Sequence, residues 1–209
     1  MDAGKLFLVA TPIGNLRDIT LRALDALRMA DLVACEDTRV TRKLLAHYEI
    51  RVPLMSFHDH SGEAALGQII GMIRQAKNVA YVTDSGTPAV SDPGFSLVRE
   101  AIREGIRVEV MPGPSAFLAA LVGSGIPCER FAFEGYLPHK PSARRKHLEA
   151  VRREGRTLVF YESPHRASKA LRDMAEILGD RPACVAREIT KKFEEYLRGG
   201  LAELVGEVA

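Results

Sequence analysis

The chain has 209 residues, 46% of them hydrophobic and 27% charged, and a net charge of only +2. Those proportions fit an ordinary soluble globule of one large domain or two small ones, and they exclude a disordered or collagen-like chain. Global charge says nothing about a polyanionic partner, so any such signal must be local.

Strand-like and helix-like runs alternate from the start. KLFLVA (5–10) reads as a strand, and ITLRALDALRMA (19–30) as a helix with Leu21, Leu24 and Leu27 roughly on one face. Asp18 or Thr20 can cap that helix. LVACE (32–36) is a strand, RVTRKLLAHY (39–48) a helix, LMSF (54–57) a short strand and EAALGQIIGMIRQA (63–76) a helix. NVAYV, the helical FSLVREAIREG and the strand RVEVM (107–111) follow. Such alternation predicts parallel βαβ units, and the near-continuous apolar strands predict burial on both faces.

PGPSA (112–116) is a stiff joint ahead of a small-residue helix (116–124) and marks a domain boundary near 113–117, giving domains 1–114 and 115–209. The second half restarts with strand FAFEGY (131–136), a helix over about 143–153, strand TLVFYE (157–162), a helix over 164–178, strand ACVAREI (183–189), strand-like EEYLRG (194–199) and a final helical run. The expected fold is α/β, with a mostly parallel N-terminal sheet and a mixed C-terminal sheet. The chain stops at LAELVGEVA, where a mixed sheet normally wants another strand, so a truncated second domain is expected.

No apolar run approaches the roughly 20 residues that span a bilayer. The start lacks the longer apolar region of a signal peptide. Cys35, Cys128 and Cys184 are odd in number and scattered, against a disulfide framework or a zinc site. A cytoplasmic protein without membrane contact is expected.

Three Pro/Gly loops lie just past strand ends: Pro12–Asn15, Asp84–Pro88 and Pro112–Ala116. The middle one, within VTDSGTPAVSDPG (82–94), has neither the Gly-Lys-Ser/Thr ending of a phosphate-binding loop nor a G-x-G-x-x-G fingerprint. Pro and Gly make a rigid, thin-walled loop suited to a flat or neutral ligand. ACEDTR puts Glu36, Asp37 and Arg39 past the second strand, either as a helix N-terminus dressed with acids or as groups facing a cleft. His58 and His60 lack a third ligand nearby, and no metal is expected. KPSARRKHLEAVRREGR (140–156) carries seven Lys/Arg against two Glu, either a solvated helical face or a surface that tracks phosphates. YESPHR holds Glu162, His165 and Arg166, and REITKKFEE holds Arg187, Glu188, Thr190, Lys191 and Lys192.

Together VATPIGNLRDIT, ACEDTR, DSGTPAVSDPG, PGPSA, YESPHR and REITKKFEE resemble the small-subunit ribosomal RNA methyltransferases that modify a cytidine 2′-hydroxyl, in the tetrapyrrole methylase superfamily. The resemblance runs in order from about residue 5 to the end. Gly86-Thr87-Pro88 stands where porphyrin and precorrin methylases have G-D-P, a departure that points away from tetrapyrrole substrates. The resemblance implies two α/β domains with S-adenosylmethionine in the cleft between them, a homodimer, and small-subunit ribosomal RNA as partner. It carries cofactor contact to Pro12, Ile13, Gly86, Thr87, Pro88, Val90, Ser115 and Ala116, and more loosely to Tyr161 and Arg187. Glu36, Asp37, Asp84 and Glu162 are candidate general bases, with Glu36, Asp37 and Glu162 preferred. Arg39, Arg144, Arg145, Lys146, Arg166 and Lys191 are candidate RNA contacts. Competing expectations are methylation of a tetrapyrrole or other small molecule, and a non-catalytic RNA-binding module.

Overall fold

Phe7 and Val9 enter one apolar cluster and Leu6 and Leu8 another, so the first strand is buried on both faces. Successive side chains of a strand alternate sides, and a strand apolar on both needs a layer over each. The computed structural model describes residues 4–58, 61–90 and 94–208 and supplies both layers. The chain forms two compact units, Met1–Ser115 and Ala116–Ala209.

In the first unit, β1 (Lys5–Val9), α1 (Leu21–Met29), β2 (Leu32–Cys35), α2 (Thr38–His47), β3 (Leu54–Ser56), α3 (Gly62–Arg74), β4 (Val79–Val82), α4 (Phe95–Arg103) and β5 (Arg107–Met111) alternate. The strands form one parallel sheet in the order β3-β2-β4-β1-β5. Helices α1 and α2 cover the face of Phe7, Val9, Val33, Ala80 and Val82. Helices α3 and α4 cover the face of Leu6, Leu8, Ala34, Val79 and Tyr81.

Right-handed crossovers explain the division. The chain steps one way along the sheet from β1 to β3, then reverses through β4 to β5, so its helices change face. β1 and β4 are neighbours, and the chain leaves them toward opposite faces. The carboxyl ends of two such strands are the usual ligand position in parallel sheets. Thr20 begins α1 by accepting the Ala23 N–H at 3.2 Å, and Asp37 begins α2 by accepting that of Arg39 at 2.8 Å.

The second unit contains α5 (Ala116–Gly123), β6 (Phe131–Tyr136), α6 (Pro141–Val151), β7 (Thr157–Tyr161), α7 (Pro164–Leu178), β8 (Pro182–Arg187), β9 (Glu195–Gly200) and α8 (Leu201–Glu207). Leu137, Leu148, Leu171, Met174, Ile177 and Leu201 lie in its core. Both strand directions expected of a mixed sheet occur, in two separate pairs: β6 and β7 are parallel, β8 and β9 antiparallel. Sequence pattern identifies extended segments, whereas edge pairing depends on neighbours remote in the chain. Arg198 of β9 donates to the carbonyls of Gly123 and Ser124, satisfying acceptors that the end of α5 leaves open.

Candidate functional site

Three loops of the first unit are joined at the carboxyl edge of the sheet by main-chain bonds. Thr11 and Gly86 exchange N–H···O bonds of 2.9 and 3.1 Å, an isolated antiparallel bridge between the segments that follow β1 and β4. The Ala10 N–H donates to the Met111 carbonyl at 3.3 Å. The Thr11 hydroxyl donates to the Thr83 carbonyl at 3.1 Å, and the Thr87 hydroxyl to the Pro114 carbonyl at 3.0 Å. Pro12, Ile13, Gly86, Thr87, Pro88 and Pro114 are thereby gathered in one place, with Val90 half-buried along the same loop and Ser115 next after Pro114.

Gly86 has φ +86°, and a Cβ there would lie 3.4 Å from Ile13 Cγ2 and 3.7 Å from the Pro114 carbonyl oxygen. A side chain would fill the narrow space between the loops, at a backbone angle glycine alone adopts freely. Gly113 lets the third loop approach closely, since a Cβ there would stand 2.9 Å from that of Ala10. Ala89 has φ +66°, a left-handed angle that costs a non-glycine residue energy. The buried Thr83 hydroxyl has no partner among the described residues. A cradle that a Cβ would fill suits a ligand with a flat body. Residues 11–15, 84–90 and 112–115 contain no Lys or Arg, so the cradle accommodates a cation without repulsion.

Asp84 is half-buried just past β4, and one of its carboxylate oxygens accepts the Asp37 N–H at 3.0 Å. Burial pushes its pKa up against that hydrogen bond. Asp37 is committed elsewhere. It caps α2 and holds the Arg39 guanidinium at 2.6 to 3.1 Å, and these bonds lower its pKa to about 2. A carboxylate so stabilised in its ionised form is a weak proton acceptor. Arg39 is well exposed and carries this acid with it. Glu36 lies at the same edge, its carbonyl accepting the Ser56 hydroxyl at 3.3 Å. His58 donates its N–H to Ser61, while His60 and the loop residues Ser91, Asp92 and Pro93 lie outside the described residues.

The second unit ties down most of the charges expected to be available. Arg144 is buried and paired with Asp173 of α7 at 2.6 Å. Arg145 bridges Asp173 and Glu176 at 2.8 and 2.6 Å, and these acids raise its pKa further. These pairs tie α6 to α7 and engage both guanidinium groups with acids. Lys146 remains exposed. The two acids were overlooked although they stand three apart on α7, the spacing that places them on one helical face.

Glu162 accepts the Ser163 N–H at 2.7 Å and Arg166 Nη2 at 2.9 Å. Arg166 also donates to the Leu137 and Pro138 carbonyls and faces Nδ1 of His139. Both are largely buried, and together they clamp the start of α7 to the segment after β6. Arg187 pairs with Glu195 directly across the β8–β9 ladder, and Lys191 with Glu188 at 3.1 Å. Tyr161 accepts the Phe117 N–H at 3.2 Å, which places its hydroxyl at the start of α5 beside Ala116.

The model of the tetrapyrrole (corrin/porphyrin) methylases matches residues 5–205. The ribosomal RNA small subunit methyltransferase I of Halalkalibacterium halodurans is 49% identical over 204 residues, covering 98% of this chain and 71% of its own. That of Thermotoga maritima is 48% identical over 202 residues, covering 97% and 90%. Among solved structures, a diphthine synthase superposes with a TM-score of 0.76 at 18% identity, covering 97% of this chain and 84% of its own. A cobalt precorrin-4 methyltransferase gives 0.71 at 20% identity, with 98% and 88% covered. At these identities the two structures establish the fold alone.

Proposed function

Since the chain belongs to the ribosomal RNA small subunit methyltransferase I family of the tetrapyrrole methylases, we propose that it uses S-adenosylmethionine to methylate the 2′-hydroxyl of a cytidine in small-subunit ribosomal RNA. The observation that carries the cofactor half is the Gly86 cradle, walled by Ile13 and Pro114 and free of Lys and Arg. The cytidine and its 2′-oxygen rest on the motifs shared with that family.

S-adenosylmethionine would supply an electrophilic methyl group on a cationic sulfonium. Ile13, Gly86, Thr87, Pro88 and Pro114 would hold it, with the Thr11–Gly86 bridge keeping the loops at a fixed separation. Fixed separation matters because orientation of two reactants accounts for up to about 7–11 kcal/mol in favourable model reactions. Asp84 accepts the Asp37 N–H and sets the position of the segment after β2. Glu36, on that segment, is the base we assign to the ribose hydroxyl.

No helix among the described residues is long and apolar enough to cross a membrane. The proposed enzyme works in the cytoplasm as a homodimer, where its RNA partner is assembled. Methyl-labelled cofactor, offered with small subunits lacking the modification, should place label in an alkali-resistant cytidine dinucleotide, since a 2′-O-methyl group blocks cleavage at that position. Label in a base, or transfer to a porphyrin precursor with none to the subunit, would overturn the proposal.

A further inference from the structure

We propose that Tyr136 is a stacking platform for an unpaired base of the RNA, an inference that rests on the functional reading above. Tyr136 ends β6 and is 59% exposed. Its ring lies 5.3 Å from that of Tyr161, which stands edge-on to Phe133 at 5.0 Å. Phe133 in turn stacks on Phe117 at 4.5 Å. The Tyr161 hydroxyl fastens this series by accepting the Phe117 N–H. An exposed ring so supported is ordered before any ligand arrives, and little side-chain entropy is lost on binding.

Single exposed apolar residues are ordinary and need no explanation. Other exposed aromatics here already have a cation over the ring: Arg99 lies 5.7 Å from the centre of Phe95, and Lys192 5.4 Å from that of Phe193. Tyr136 has no such cation among the described residues. The strand that presents it carries a register irregularity between Phe133 and Gly135, the kind of bulge that re-aims a strand end.

The chain beyond Tyr136 offers charge complementary to a nucleotide. Arg166 fixes residues 137–139 through two carbonyls and the His139 ring, while Glu162 balances its charge. Lys140 follows, exposed and in no ion pair among the described residues. An aromatic face with a nearby lysine is the pairing that single-stranded nucleic acid uses, the base on the ring and the phosphate on the cation. Such a base must be unstacked from its neighbours, as is usual for enzymes that act on one nucleotide.

The chain has no tryptophan, so Tyr136→Trp introduces a lone tryptophan at the platform, excited selectively over the tyrosines. Its emission should be quenched by protein-free small-subunit RNA and unchanged by S-adenosylmethionine alone. Tyr136→Phe should bind that RNA like the parent, while Tyr136→Leu and Tyr136→Ala lose about tenfold in affinity, ~1.4 kcal/mol. Cofactor affinity, measured by calorimetry, should be the same in all four variants and confirms that each is folded. Emission unmoved by RNA, quenching by the cofactor, or full affinity in the leucine variant each overturns the platform. Methyl transfer by the parent chain to intact subunits judges the functional reading separately.

Discussion

The two units finish their strands by different means. Past β1, β4 and β5 the loops are joined by main-chain bonds and threonine hydroxyls, with Gly86 and Gly113 admitting close approach. Past β6 and β7, and along α6, α7 and the β8–β9 ladder, charged side chains do the joining: Glu162–Arg166, Arg144–Asp173, Arg145–Glu176 and Arg187–Glu195. A loop held by its backbone keeps a thin wall free of Lys and Arg. A frame held by ion pairs is rigid, but it neutralises the cations that composition would assign to RNA.

The sharpest break in that contrast is Asp173→Ala. The side chains of Arg144 and Asp173 are 7% and 14% exposed, so the substitution leaves a buried guanidinium without its acid. Removing one partner of a buried pair typically costs about 3–5 kcal/mol. Urea unfolding should show the midpoint falling by that equivalent at an unchanged slope. Replacing both partners, Arg144→Met with Asp173→Leu, should recover most of the loss, because an apolar pair has no desolvation to offset. A parent-like midpoint for Asp173→Ala would mean that α6 and α7 are held by their apolar faces alone.

Gly86→Val tests the other means of joining. The branched side chain would enter the space beside Ile13 and Pro114 at φ +86°. S-adenosylmethionine affinity should fall at least tenfold, about 1.4 kcal/mol. Calorimetry measures it, with circular dichroism to confirm the fold. A folded variant with parent affinity would remove the cradle from the cofactor site.

Element positions were legible because the βαβ pattern is locally encoded. The apolar runs of β1 and β4 state themselves within a few residues, and the cap of α1 was narrowed to Asp18 or Thr20, of which the structure uses Thr20. The three Pro/Gly loops were likewise visible as a set, since each directly follows a strand. Ion pairs were not legible where the partner lay far along the chain. Arg144 and Asp173 are 29 residues apart, so a window over 140–156 shows the cations without the acids that occupy them. The Thr11–Gly86 bridge escaped for the same reason, since it joins two loops that only the parallel sheet brings together. The platform at Tyr136 escaped because its support comes from Phe133, Tyr161 and Phe117, on three separate elements.

The smallest expected effect concerns Asp37, whose two expected roles separate cleanly. Its carboxylate is held at a pKa of about 2, first by the Arg39 side chain and then by the Arg39 N–H. The folded pKa lies below the ordinary 3.8, so its contribution to stability is fully present above pH 3.8. It is lost as pH falls from there toward about 2. Asparagine at this position remains a good helix cap, so α2 should still begin at Thr38. Asp37→Asn is therefore expected to keep turnover close to the parent's near neutral pH, and to lose the Asp37-dependent part of the acid unfolding curve. Glu36→Gln, one residue earlier at the same sheet edge, should cut turnover with cofactor affinity held. Paired measurements of initial methyl-transfer rate and acid denaturation decide between them. A turnover loss in Asp37→Asn equal to that in Glu36→Gln would place proton transfer on Asp37 despite its low basicity.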